Sequence, residues 1–137
     1  MRPATPDDIP ALVRMGQDFH DYFPQCGDYV AENVAAALGN FIEQDNATLI
    51  MTDKAMVAGV IIPALSNLSH LMAVEMAWWA KDGQGIRLLR SFEKWAIAKG
   101  AAEVRLTTQT DDPRPNRILE RMGYRHLESV FVRPLCH

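Results

Sequence analysis

Between residues 9 and 42 the apolar positions fall three and four apart, and from residue 47 onward they gather in short β-rich runs. Ile9, Leu12, Val13, Gly16 and Phe19 share one helical face, which predicts a first helix ending near Tyr22. Thr5-Pro6-Asp7-Asp8 signals its start: Thr5 caps, Pro6 suits the first helical position, and Asp8 stands where a capping-box acid belongs. Pro24, Gly27 and Asp28 mark a loop. Val34, Ala37, Leu38, Phe41 and Ile42 predict a second helix.

Asp45-Asn46 breaks that spacing. Ala47 to Thr52 and Met56 to Ile62 read as strands around a tight Asp53-Lys54 turn, a hairpin signal. Pro63 to Ser69 reads as loop, and Leu71 to Ala80 as a third strand ending in Trp78-Trp79. The glycine-bearing turn Lys81-Asp82-Gly83-Gln84-Gly85 opens a helix with Ile86, Leu89, Phe92, Ala96 and Ile97 inward, closed by Gly100. Glu103 to Thr108 predicts a strand, Arg114 to Met122 a short helix stopped by Gly123, and Tyr124 to Val132 a last strand. Hairpins preceding a strand–turn–helix–strand unit imply an α+β chain with a mixed sheet.

Composition narrows the function classes. With 137 residues, 48% hydrophobic and 23% charged, the chain fits one globular domain, residues 1–137. Its formal net charge of -3, with both signs interspersed, argues against an extended nucleic-acid surface or an anionic membrane surface. Cys26 and Cys136 form no CxxC pattern, and His70, His126 and His137 lack metal-ligand spacing, so no metal is expected. No apolar run reaches membrane-spanning length, and the opening residues lack the apolar core of a signal peptide. The expectation is a cytoplasmic monomer or small oligomer, a homodimer included.

The turn after the third strand carries the first chemical signal. Glycines at 83 and 85 let the backbone approach a ligand, and the helix start presents unpaired N–H groups and a positive dipole end. Both favour phosphate. Arg87 and Arg90 add cationic charge to the first turns. Such turns also occur merely to reverse the chain.

The stretch Trp78 to Leu89, continued by Phe92-Glu93-Lys94-Trp95-Ala96 and Lys99-Gly100-Ala101, resembles the acetyl-CoA-binding motif of the GNAT acetyltransferases. The opening Arg2-Pro3-Ala4-Thr5-Pro6-Asp7-Asp8-Ile9 resembles their first strand-to-helix entry. Asn116 to Tyr124 resembles their final helix and the Gly-aromatic pair that opens the last long strand. The resemblance spans nearly the whole chain in the right order. It implies a GNAT-like sheet, mixed and mostly antiparallel, with helices on both faces and a first strand short or missing.

The same resemblance implies acetyl transfer from acetyl-CoA to a primary amine, on a small molecule, a peptide or an amino-modified nucleobase. Trp78 and Ala80 would lie nearest the pantetheine arm, and Gly83, Gln84, Gly85, Ile86, Arg87 and Arg90 near the phosphates. Of the family's usual turn slots, which fall on Asp82, Gly85 and Arg87, only the central glycine agrees, and the turn is a few residues short. The slot of the usual tyrosine acid is Leu119, which cannot donate a proton; water, Tyr22, Thr108 or Tyr124 are the substitutes. Amine attack needs the neutral amine, so a base is useful, and Glu75 on the third long strand is the preferred candidate. The alternative for Glu75 is a salt-bridged or solvated strand residue. His20, late in the first helix, falls where the acceptor site is partly built, although a helix-end histidine is commonly a surface residue. The rival readings are an acyl-CoA-binding protein without efficient turnover, and an α+β scaffold with no such site.

Overall fold

The computed structural model describes residues 1–23 and 27–135. The positions Pro24, Cys26, Cys136 and His137, named above, lie outside the described residues. In chain order the elements are β1 (Arg2–Pro3), a 3-10 turn at Pro6–Asp8, α1 (Ile9–Tyr22), α2 (Ala31–Glu43), β2 (Ala47–Met51), β3 (Ala55–Ala64), β4 (Asn67–Ala80), α3 (Gly85–Ala98), β5 (Glu103–Arg105) and α4 (Pro113–Arg121). The five strands lie in the sheet in their order along the chain, antiparallel except for the last pair, β4 and β5. The first strand is short, as expected, at two residues.

Alternation along the strands divides the core in two. Ile50, Ala55, Val57 and Ala73 bury one face of the sheet under Leu88, Leu89, Phe92 and Ala96 of α3 and Leu119 of α4. Leu49, Met51, Met56 and Ala58 bury the other against Leu12 and Met15 of α1, with Leu38, Phe41 and Ile42 of α2 packed around them. The inward stripe of α3 therefore runs 88, 89, 92 and 96. Ile86 and Ile97, expected inward, are exposed, because each falls about a third of a turn or more off that stripe.

The N-terminal entry is held by charge and capping. Both guanidinium nitrogens of Arg2 reach the Asp8 carboxylate, at 2.6 and 2.7 Å, and the Thr5 N–H donates to Asp8 Oδ2 at 2.8 Å. These bonds, Arg2 first, hold the Asp8 carboxyl well below the usual carboxylate range. So Asp8 fills the role its spacing suggests, and it also fastens β1 to the turn before α1.

Three expectations about β structure change. Residues 63–69, expected as loop, belong mostly to a long hairpin: β3 and β4 stay paired out to Ala64 and Asn67, beyond the reach of β2 and β5. Pro63, which suggested a loop, sits next to a register irregularity, where a missing N–H is tolerated. The strand expected over 103–108 ends at Arg105. The last strand, expected over 124–132, is absent among the described residues, where 124–135 forms neither helix nor strand. Its sequence is β-rich, but a strand exists only where a neighbouring backbone completes its ladder.

A bulge interrupts the central hairpin. Ala58 pairs with Ala77 and Gly59 with Glu75, so Met76 is the extra residue on β4, and its side chain is exposed. Past that point Trp78 packs on the α3 side and Trp79 on the α1 side.

Candidate functional site

β4 and β5 pair in parallel over Met72–Glu103, Ala73–Val104 and Val74–Arg105, and there the pairing stops. β4 continues alone on that side from 75 to 80. This leaves an opening between two parallel strands at their carboxyl ends, with the start of α3 just beyond β4. Openings of this kind are where ligands settle in sheets with parallel neighbours.

Glu75 stands at the root of the opening. Its side chain is buried, with the residue 8% exposed, and its cross-strand partner Gly59 faces the Phe92 ring. The carboxylate therefore lies on the α3 side of the sheet. Glu75 Oε2 accepts the Thr107 N–H at 3.2 Å, from the chain just after β5. Burial pushes the Glu75 carboxyl up from its ordinary 4.5 to about 7, and the Thr107 bonds pull the other way without cancelling it. An acid or base poised near neutrality can take and release a proton at working pH. No ion pair reaches this carboxylate among the described residues, which sets aside the salt-bridged reading.

The turn from β4 into α3 is tight. Gly83 adopts φ +73°, a left-handed conformation that favours glycine. A Cβ on Gly85 would touch the Trp78 ring and the Ala80 methyl at 3.4 Å. The Trp78 indole N–H donates to the Gly85 carbonyl at 3.1 Å, so this side chain braces the strand against the helix start. What Trp78 and Ala80 leave for a ligand is the main chain of β4.

Asp82 corrects one expectation about the phosphate cradle. Its carboxylate accepts the Gln84 N–H at 3.0 Å and the Thr52 hydroxyl at 2.9 Å. Gln84, expected to offer its amide to phosphate, gives it to Asp82 instead. The N–H groups of Gly85, Ile86 and Arg87 belong to the first turn of α3 and have no intrahelical carbonyl to meet. The Arg87 guanidinium leans back over the turn and donates to Gln84 Oε1 at 2.9 Å. Beside it lies a cavity of about 360 Å³ lined by Met1, Thr52, Asp53, Lys54, Asp82, Gln84 and Arg87. Arg90 is exposed one turn further on.

His20 lies elsewhere. Its Nε2 sits 3.3 Å from the Gly27 carbonyl and its ring 5.6 Å from that of Tyr29, contacts that tie the end of α1 to the following segment. None of them joins it to Glu75. The end of α1 instead brings Phe19, Tyr22 and Phe23 around Trp79, with ring centroids 5.5 to 6.5 Å apart. A hollow of about 280 Å³ opens there between Tyr22, Phe23, Asp111, Asp112 and Arg114. Asp112 is engaged by Arg114 at 2.9 Å and held below the usual carboxylate range by that contact.

The candidates for proton donor divide. Leu119 is buried in the core beneath α3. Tyr124 donates its hydroxyl to Glu93 Oε1 at 2.6 Å, and burial followed by that carboxylate pushes its phenol far above its ordinary value. It is a packing residue. The Thr108 hydroxyl is bonded to Asn116, and Tyr22 is exposed at the hollow.

Sequence reasoning missed Thr107, Thr52 and Lys54. Nothing local marks them: Thr107 meets Glu75 across 32 positions of sequence, and Thr52 meets Asp82 across 30. The parallel pairing and the hairpin turn deliver them. Among the described residues no three His, Cys, Asp or Glu side chains gather as metal ligands, and no helix is long and apolar enough to cross a membrane.

Comparison with known proteins gives the fold its class. A protein of Agrobacterium tumefaciens str. C58 assigned as an acetyltransferase superposes with a TM-score of 0.75 at 19% identity, covering 97% of each chain. A transcriptional regulator from Bacillus halodurans C-125 superposes at 0.77 with 18% identity, over 98% of this chain and 97% of that one. AAC(6')-Iy, in complex with a bisubstrate analogue, CoA-S-monomethyl-acetylneamine, superposes at 0.72 with 14% identity, over 98% of this chain and 97% of that one. No family model matches the chain, and no curated protein matches it in sequence. The fold is the GNAT-like acetyltransferase fold.

Proposed function

We propose that this protein is an N-acetyltransferase that moves an acetyl group from acetyl-CoA to a primary amine. The observation that carries the reading is the opening between β4 and β5, with buried Glu75 at its root and the first turn of α3 at its mouth. The first-turn N–H groups of α3, with the Arg87 guanidinium beside them, supply donors for a diphosphate, and Lys54 in the adjoining cavity is balanced by Asp53 and Asp82. The solitary edge of β4 from 75 to 80 offers main-chain partners to an extended amide-bearing arm. A solved relative in fold, AAC(6')-Iy, holds a CoA bisubstrate analogue.

In the reaction the neutral amine attacks the thioester carbon. The C–N bond forms, the C–S bond breaks, and the CoA sulfur leaves as thiolate. Glu75 takes the proton released by the amine, directly or through one water, since its carboxyl titrates near neutrality. The thiolate is protonated by water, because Leu119 is core and Tyr124 holds its proton tightly. The aromatic hollow beside Asp111 and Asp112 is the entrance assigned to the amine, whose cationic form is attracted to carboxylates and aromatic faces. The acceptor is a small molecule or a peptide amine.

Two observations favour a second reading, binding without efficient turnover: the slot of the usual acid is part of the core, and Asp82 already occupies one turn amide. The test begins with thermal stabilisation by acetyl-CoA, CoA and ATP. A ligand at 100 times its Kd adds about 2.7 kcal/mol, so the first two raise the melting temperature and ATP does little. Release of CoA is then followed with a panel of primary amines. Transfer to any of them establishes the enzyme. Stabilisation by CoA with no transfer across the panel supports the second reading, and equal stabilisation by all three ligands removes both.

A further inference from the structure

The hollow between the end of α1 and the start of α4 has two unlike sides. One is aromatic. The Tyr22 and Phe23 rings stand edge to face with centroids 4.6 Å apart, and both reach Trp79, at 5.7 and 6.5 Å. Phe19 meets Trp79 edge-on at 5.5 Å and completes the group. Trp79 belongs to the solitary stretch of β4 that begins at Glu75, so these rings adjoin the strand that lines the opening. Tyr22 is 59% exposed, an aromatic surface left for something to cover.

The other side is ionic, and most of its charge is already spent. Both carboxylate oxygens of Asp112 accept from the Arg114 side chain, at 3.0 and 2.9 Å. Near Trp79, the Lys81 ammonium pairs with Asp18 at 3.1 Å and stands 5.8 Å from the indole centre. Of the two carboxylates that line the hollow, only Asp111 has no ion pair among the described residues. The site thus offers one unspent negative charge, with two protein cations close by.

We infer that the acceptor is a monoamine with a flat aromatic body, its ammonium met by Asp111 and its ring laid against Tyr22 and Phe23. A polyamine fits poorly. Its first cation takes Asp111, and its next meets Arg114 or Lys81, where like charges repel. A short alkylamine satisfies Asp111 but leaves the rings uncovered. This inference narrows the acetyl-transfer reading and rests on it.

The test compares phenethylamine, butylamine and spermidine as acceptors for the full chain, at about 0.15 M salt so that distant charges are screened. Phenethylamine is expected to exceed each of the others in kcat/KM by at least about tenfold. Tyr22→Ala should bring the ratio of phenethylamine to butylamine toward one. Arg114→Gln releases Asp112 and removes a cation, so it should raise kcat/KM for spermidine by about threefold or more. Both side chains are largely exposed, so neither change opens the core. Spermidine or butylamine matching phenethylamine in the unaltered protein overturns the inference. An unchanged ratio in Tyr22→Ala, or no gain for spermidine in Arg114→Gln, overturns it as well. If none of the amines is acetylated, calorimetric titration of phenethylamine and spermidine with CoA present separates the two claims. Phenethylamine binding at least about tenfold more tightly then upholds the ligand class while the transfer reading falls. Equal binding, tighter spermidine or no binding overturns the ligand class too.

Discussion

A Cβ placed on Gly59 would lie 2.3 Å from the Phe92 ring and 2.9 Å from the Val74 carbonyl oxygen. The ring of α3 rests directly on the backbone of β3, at the position opposite Glu75. This contact sets how close α3 comes to the sheet beside the strand opening.

Gly59→Ala is therefore expected to destabilise the fold by overpacking, by about 1–3 kcal/mol. A thermal melt should show the midpoint falling by several degrees. Phe92→Leu in the same background should recover part of the loss by vacating the ring's volume. An unchanged melt for Gly59→Ala would mean that helix and sheet are not seated as described.

Glu75→Gln keeps the shape of the side chain and removes the base. Transfer should fall by about 10²–10⁴-fold in kcat. The wild-type rate should rise with pH through an apparent pKa near 7, and the variant should lose that rise. A variant retaining both rate and profile would remove Glu75 from the chemistry.

The same carboxyl links stability to pH. Folding raises its pKa from 4.5 to about 7, so the folded state binds the proton more tightly. The favourable contribution is present below about pH 4.5, relative to the ionised group, and is lost as pH rises through 7. Denaturant titrations should show stability falling over that window, by an amount of order 3 kcal/mol from this group alone. Glu75→Gln should flatten this part of the profile.

Asp82→Asn retains an acceptor for the Gln84 N–H while removing a negative charge from the turn just before α3. CoA affinity should tighten, by roughly 0.3–1 kcal/mol at low ionic strength, and the gain should shrink as salt is added. Calorimetric titration of CoA at two salt concentrations measures it. Weaker binding would mean that the carboxylate's role in shaping the turn exceeds its repulsion.

Tyr124→Phe removes the hydroxyl bonded to Glu93. The expected cost is about 1 kcal/mol of stability, rising toward 3 because the acceptor is charged. The kcat should stay within twofold of wild type, since this phenol keeps its proton. A large loss of kcat with normal stability would restore Tyr124 as the acid.

Much of the architecture was readable because it depends on spacing. α1, α2 and the hairpin at Asp53-Lys54 follow from periodicity and turn chemistry within a few residues of one another. The site was readable in part. The glycine turn is a local feature and Glu75 was reached through the family resemblance, but the carboxyl's burial and its Thr107 partner come from packing and parallel pairing. His20 was drawn in by its place on α1, and its contacts prove to be those of a helix end. The segment 124–132 misled because β propensity describes what a residue tolerates and says nothing of where a partner strand is. Pro63 misled in the opposite sense, since a long hairpin accommodates it at an irregularity.

Met76 gives the sheet a memory of counting. With one residue more on β4 than on β3, the two tryptophans reach their separate sides: Trp78 to brace the start of α3, Trp79 to receive the aromatic end of α1. Were Met76 drawn into the ladder, every side chain of β4 beyond it would change places with its neighbour, and the indole that holds the glycine turn would point at α1. Deleting the residue closes the bulge instead and keeps Ala77 opposite Ala58 and Glu75 opposite Gly59, so both tryptophans hold their sides. Its loss should therefore cost only the local bend, and Met76→Ala should be nearly silent.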